Sequence, residues 1–184
     1  MGQIYVITQL RKHLHLQQES QMQNFNSYIR QNHKEELTIF LKQNYIDILL
    51  ISETHFTDTH YFHIPRYKIC HTTHRDETAH GGTAILLKES IQHYELLKYE
   101  EESIQATSIK VVGFPYEITI AAVYCPPRHN LKKEQFETFF QTLGPKFIAG
   151  GDYNSKHTLW GSRLTTTKGR ELSKVIQENN YFYL

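Results

Sequence analysis

Apolar positions along the chain fall into short runs of two kinds. Ile46 to Ser52 (IDILLIS), Thr83 to Lys88 (TAILLK) and Glu117 to Tyr124 (EITIAAVY) are β-branched and of strand length. Their near-continuous hydrophobicity predicts strands covered on both faces. Tyr67 to His71, Glu95 to Tyr99 and Ile104 to Val112 read as further strands, with Val112-Gly113-Phe114-Pro115 as the turn before the next one. Lys146 to Ala149 predicts a strand that stops at Gly150-Gly151, and Tyr181 to Leu184 the start of another. The second kind has helical rhythm: Leu37, Phe40 and Leu41 within Glu35 to Leu41, Phe136, Phe139, Phe140 and Leu143 within Lys132 to Leu143, and Leu172, Val175 and Ile176 within Arg170 to Asn179. Gln17 to Ser27, mostly Gln, Asn and Ser, reads as a loop, a frayed helix or a weak strand.

Hairpin-like strand pairs interleaved with few helices predict an α+β fold, two stacked sheets with helices outside them. A doubly wound parallel sheet needs more helices between its central strands. At 184 residues the chain is sized for one domain. Twenty Lys and Arg against nineteen Asp and Glu give a net charge of +1, which excludes a broadly basic nucleic-acid binder and confines any DNA contact to a local surface. Cys70 and Cys125 lie in separate apolar stretches, without the spacing of a disulfide framework or a thiolate zinc site, which suits a reducing compartment. No apolar run is long enough for a membrane helix, and Met1 to Leu16 lacks a secretory h-region, so an intracellular location is expected. The twelve histidines are scattered. His71 and His74 are three apart but sit in a polar Thr-rich stretch, where metal binding is the minor reading.

Three positions stand at the ends of predicted buried strands: Glu53, Asp152 and Asn154. A rigid sheet presents groups to a cleft at such ends. A single Glu there reads as a loop charge, but a Glu beside a second acidic group suits Mg²⁺, which takes one or two carboxylates and completes its shell with water and phosphate oxygens. In Gly150-Gly151-Asp152-Tyr153-Asn154 the glycines permit a tight turn, and Asp152 and Asn154 share one face of an extended chain. The competing reading of that segment is an Asx turn. Tyr124 ends its strand just before Cys125-Pro126-Pro127, either as a phenol offered to a cleft or as a core tyrosine.

LLISETHF (Leu49 to Phe56), GGTAILLK (Gly81 to Lys88), AAVYCPPR (Ala121 to Arg128) and FIAGGDYNSKHTLWGS (Phe147 to Ser162) occur in the order and approximate spacing of the endonuclease/exonuclease/phosphatase superfamily. With TKGREL, ending at Leu172, they resemble more narrowly the apurinic-type endonuclease domain of jockey-like non-LTR retrotransposons. The resemblance covers about residues 25–184 and leaves 1–24 as a poorly defined N-terminal extension. It implies a DNase I-like α/β/β/α sandwich holding Mg²⁺, with Mn²⁺ as a substitute, at one edge. Glu53 matches the principal metal-binding carboxylate, and Asn26 the first-strand Asn near metal and phosphate. Tyr28 falls where many relatives carry a second Asn or Asp. Tyr124 matches the tyrosine that touches the scissile phosphate, Asp152 the residue that orients and deprotonates the attacking water, and Asn154 the residue that holds the phosphate or the departing oxygen. His157 and Trp160 match positions that shape the floor of the site and are read as structural. Arg128 is placed either to meet a DNA phosphate or to be a solvated loop charge. Arg66, Arg75 and Arg163 carry the same two readings.

The family continues beyond the position of Leu184 to further strands with an Asp and an S-D-H segment whose His polarises the phosphate; this sequence ends before them. Mg²⁺-dependent nicking of DNA, in the nucleus and beside a reverse transcriptase domain of a parent polyprotein, is therefore one expectation. A catalytically inactive remnant is the alternative. A phosphatase acting on small phosphorylated substrates is a third reading, which the GDYNSKHTLWGS and TKGREL segments disfavour. Oligomeric state is not legible in the sequence.

Overall fold

The computed structural model describes residues 5–8, 15–18, 34–57, 61–74, 80–113 and 116–182. Asn26, Tyr28 and Arg75, and most of the stretch 17–27, lie outside the described residues. Two sheets face each other. The first has the order β2 (His15–Gln18), β1 (Tyr5–Thr8), β3 (Ile46–Ser52), β5 (Thr83–Lys88), β4 (Tyr67–Thr72), all antiparallel. In the second, β10 (Phe147–Asp152), β9 (Ile118–Tyr124), β8 (Gln105–Val111) and β6 (His93–Glu95) run in that order, and β7 (Tyr99–Glu100) also pairs with β8. Strands β9 and β10 are parallel, so a crossover must join them, and helix α2 (Lys133–Thr142) supplies it. Helices α1 (Lys34–Gln43) and α3 (Thr167–Glu178) complete the described α-helices, and Thr158–Trp160 forms one 3₁₀ turn.

Period-two alternation distributes the strand residues among three apolar layers. Leu37 and Leu41 of α1 cover Leu49, Ile51, Ala84 and Leu86 on the outside of the first sheet. Ile48, Leu50, Ile85 and Leu87 meet Ile109, Val111, Ile120 and Ala122 between the sheets. Ala106, Ala121 and Val123 pack under Phe136, Phe139, Phe140, Leu172 and Val175 of α2 and α3. The result is the α/β/β/α sandwich with a DNase I-like arrangement. Helix ends follow local chemistry: Glu35 and Glu36 sit in the first turn of α1 and Lys42 in the last, matching the helix dipole. Gln135 accepts from the Lys132 backbone N–H at 3.1 Å before α2, and the Thr166 hydroxyl caps α3 by accepting from the Gly169 N–H at 3.1 Å.

Three features differ from the sequence expectations, and a fourth falls in the stretch 1–24 that those expectations left undefined. The strand expected over 95–99 is two short pieces, β6 and β7, both laid against β8. The strand expected to stop at the glycine pair runs through it to Asp152, because Gly150 and Gly151 continue the register against Ala122 and Val123. Residues 181 and 182 carry no strand. Within the stretch 1–24, β1 and β2 form a hairpin whose first strand pairs with β3, Tyr5 opposite Leu50.

Phe136 is fully buried among Phe139, Phe140 and the outer face of the second sheet. Its replacement by Ala is expected to cost about 3–5 kcal/mol, read as a fall in the urea unfolding midpoint. Ile39→Ala, at a position 52% exposed, should move that midpoint by no more than about 0.5 kcal/mol equivalent.

Candidate active site

At one end of the sandwich the filling between the sheets changes from apolar to polar. Continuing the inward register past Ile48 and Leu50 reaches Ser52; past Ile120 and Ala122 it reaches Tyr124; past Ile85 it reaches Thr83; and on β10 it reaches Asp152. Hydrogen bonds replace packing there. The Ser52 hydroxyl donates to the Val123 carbonyl at 2.8 Å and accepts from the Asp152 backbone N–H at 3.0 Å, stitching β3 to β9 and β10. Thr83 and Thr107 share a hydrogen bond of 2.8 Å, Thr107 donates to Thr72 at 2.9 Å, and Gln105 Oε1 accepts from the Gly82 N–H at 2.8 Å.

Glu53 leaves β3 in the left-handed region (φ 56°), as does His55 (φ 53°). This turn is tied to the glycine pair before β5: Thr54 N–H donates to the Gly82 carbonyl at 3.3 Å and His55 N–H to the Gly81 carbonyl at 2.9 Å. The approach requires glycine, since a Cβ on Gly82 would lie 2.7 Å from Thr54 Oγ1 and 3.0 Å from the Thr72 carbonyl. Gly151 has the same reason to be glycine. Its Cβ would fall 1.9 Å from the Val123 carbonyl oxygen. So Gly151 serves close approach within the sheet, where the sequence suggested a turn.

Glu53 hydrogen-bonds the Tyr124 phenol and lies within electrostatic range of Asp152, so Glu53, Tyr124 and Asp152 converge. Asp152 is 4% exposed; its Oδ1 accepts from the Asn154 N–H at 2.8 Å, and its Oδ2 has no hydrogen-bond partner. The Asx turn that the sequence offered for this segment is thus present. Asn154 is left-handed (φ 47°) and its Nδ2 donates to the Cys125 carbonyl at 3.2 Å. His157 Nδ1 accepts from the Leu159 N–H at 3.1 Å and its ring packs on Trp160, whose indole N–H donates to the Ser155 carbonyl at 2.8 Å. Both residues shape the loop after Asn154. Arg128 is exposed, 3.5 Å from Glu102. It lines a hollow of about 210 Å³ beside Tyr124, together with His55, His74, His80, Gly81, Pro126 and Pro127. Arg66 and Arg163 are exposed elsewhere.

Comparison with known proteins follows the same segments. A family described as endonuclease-reverse transcriptase matches residues 118–184. The RNA-directed DNA polymerase from mobile element jockey of Drosophila funebris is 34% identical over 80% of this chain, and the probable RNA-directed DNA polymerase from transposon X-element of Drosophila melanogaster is 31% identical over 77%. The chain spans 16% of the length of each. In structure it matches the endonuclease domain of TRAS1, a telomere-specific non-LTR retrotransposon, with a TM-score of 0.63 and 22% identity, covering 82% of this chain and 66% of that one. The chain belongs to the endonuclease domains of non-LTR retrotransposons.

Electrostatics in this endonuclease domain follow from burial. Burial raises the Asp152 carboxyl above the ordinary carboxylate range, the Asn154 N–H pulls it partly back, and Glu53 raises it again. Burial also raises the Tyr124 phenol, with Glu53 adding to the effect, so Tyr124 stays protonated as a donor. Among the described residues no group of three or more His, Cys, Asp or Glu could close around a metal, and His71 packs on Tyr61 and Phe56 while His74 stacks on His80 at 3.8 Å. What the cleft does offer is the buried, unpartnered Asp152 Oδ2 beside the Glu53 carboxylate. That donor set fits a hard cation which keeps most of its shell for water and phosphate.

The motifs contain Ser52 and Lys168, and Gln105 begins a strand between two of them, yet none of the three was singled out; the inward parity of β3 and β8 was a usable signal for Ser52 and Gln105. Lys168 gave none, being a lysine on a helix that is 3% exposed.

Ser52→Ala is expected to leave the Asp152 N–H without its acceptor and to cost about 1–3 kcal/mol in chemical unfolding. For Asp152 the folded-state pKa is raised, so its ionisation opposes folding: the penalty is absent below the ordinary value of 3.8 and complete above the folded value. Asp152→Asn should therefore raise the melting temperature at neutral pH, with the gain shrinking as pH falls toward 3.8.

Proposed function

We propose that this domain nicks DNA by Mg²⁺-dependent hydrolysis of a phosphodiester bond, leaving a 3′-hydroxyl that a reverse transcriptase in the parent polyprotein extends. The observation that carries the reading is the convergence of Glu53, Tyr124 and Asp152, brought from three separate strands to one end of the sandwich, with an orphaned carboxylate oxygen among them. Glu53 would hold the cation, which when bound neutralises phosphate charge and polarises the bond under attack, and the orphaned Asp152 Oδ2 is left to act beside it. Asp152, fixed at Oδ1 by the Asn154 N–H, orients the attacking water and accepts its proton. Tyr124, whose raised pKa keeps its phenolic hydrogen in place, would turn that hydrogen from the Glu53 carboxylate to a phosphate oxygen. The Asn154 amide, one hydrogen of which lies on the Cys125 carbonyl, has a second hydrogen for the phosphate. Arg128, and the hollow it lines, give the local basic contact with the duplex backbone that the near-neutral whole chain requires.

Nicking of supercoiled plasmid, with Mg²⁺ or Mn²⁺ against EDTA, tests this directly. Glu53→Ala and Asp152→Ala are each expected to lower the metal-dependent rate by about a hundredfold or more, and Tyr124→Phe by about tenfold or more. A folded wild-type chain that leaves the plasmid intact with either metal would favour the inactive remnant.

A further inference from the structure

Helix α3 begins beneath the cleft, and its first turn reaches both loops that carry the site. Thr166 Oγ1 accepts from the Lys156 N–H at 3.2 Å, and the Thr166 N–H donates to the Lys156 carbonyl at 2.9 Å. Gly169 packs so tightly on the same residue that a Cβ would lie 2.0 Å from the Lys156 carbonyl oxygen. These contacts fix the loop that follows Asp152 and Asn154. Lys168 reaches the other loop: its Nζ donates to the Pro126 carbonyl at 2.7 Å from a position 3% exposed. The neighbouring Cys125 is fully buried, its N–H donates to the Asp152 carbonyl at 2.8 Å, and its own carbonyl takes the Asn154 side chain. The carbonyls of two consecutive residues, 125 and 126, are thus each held by a side chain from the second half of the site.

A buried ammonium is costly unless its hydrogens and charge are answered. Burial lowers the Lys168 pKa, and Cys125 and Asp152 act the other way. The role of a lysine placed there at that cost is mechanical and electrostatic together. We propose that Lys168 is a positioning residue, which clamps segment 125–128 to helix α3 from beneath and, with Thr166 and Gly169, sets the spacing between the loop bearing Tyr124 and Arg128 and the loop bearing Asp152 and Asn154. Its catalytic consequence rests on the endonuclease reading; the clamp itself does not.

The experiment therefore has two arms, both on the full chain in a Cys70→Ser background, where Cys125 is the single thiol. In the first arm, native-state labelling of Cys125 by a thiol reagent reports release of the segment. Lys168→Met should label about tenfold faster than the parent, and Lys168→Arg, which keeps charge and donor, within about threefold of it. Lys174→Ala, on the exposed face of the same helix, is the control. In the second arm, plasmid nicking should show kcat lowered about tenfold or more in Lys168→Met with KM within about threefold, and kcat restored by Lys168→Arg. Should the Met variant fail to fold, Lys168→Gln, which keeps a donor, is read by the same criteria. Labelling that is equal in all variants overturns the clamp. Faster labelling with unchanged kcat overturns the positioning role. A parent chain that does not nick overturns the proposed function alone, and the labelling arm then decides the clamp.

Discussion

The Ser52 hydroxyl is the interaction on which the site depends. It is the last inward residue of β3, and across the interlayer space it meets the far ends of β9 and β10. By donating to Val123 and accepting from Asp152 it closes the gap between sheets at the point where apolar side chains give out. A larger apolar residue there would hold the sheets apart, and a Cβ at Gly151 would do the same from the other side, 2.8 Å from Ser52 Oγ. Close approach of the two sheets is what places Glu53, one residue beyond Ser52, beside Tyr124 and Asp152, one residue beyond Val123 and Gly151.

That approach has consequences for stability that run against function. Asp152 is buried with one oxygen unanswered, Thr54 Oγ1 is buried without a partner, and Glu53, His55 and Asn154 all hold left-handed backbone. Each left-handed non-glycine residue costs on the order of 1 kcal/mol or more, and Glu53, His55 and Asn154 bring that strain to the cleft, as Tyr45, Arg66 and Asn180 do elsewhere. The compensation comes from the three apolar layers and from the threonine and glutamine hydrogen bonds that line the way to the cleft. A neutral, relaxed site would make a more stable domain with nothing to hold a cation or a water.

Much of this was legible in the sequence because the strands that matter are short, apolar and ended by chemistry. IDILLIS followed by Glu53, and ITIAAVY with Tyr124 as its last residue, announce both their burial and what they present. The helix carrying Phe136, Phe139 and Phe140 is equally plain. What escaped are effects that exist only between elements. A glycine pair looks the same whether it turns a chain or lets two backbones touch, and only the placement of Val123 and Ser52 separates the cases. Glu95 to Tyr99 has strand composition throughout, but β8 accepts it in two pieces. Lys168 carries the signature of a solvated helix face and is buried because a carbonyl of another loop lies below it. Asn26, placed by resemblance alone, lies outside the described residues.

The matching family segment, 118–184, contains Tyr124, Asp152, Asn154 and Lys168, but neither Ser52 nor Glu53. Half of the site thus belongs to the second sheet with its helices, and the other half to the first. The two are joined through contacts between residues far apart in sequence, a hundred positions in the case of Ser52 and Asp152. Contacts at such separation carry a large loop-closure entropy, which the packing of the two sheets must offset. The burial and the Glu53 neighbour that raise the Asp152 pKa both come from that docking. The perturbed acid, the protonated phenol and the orphaned oxygen are therefore properties of the assembled sandwich, and they come into being together when its two halves close.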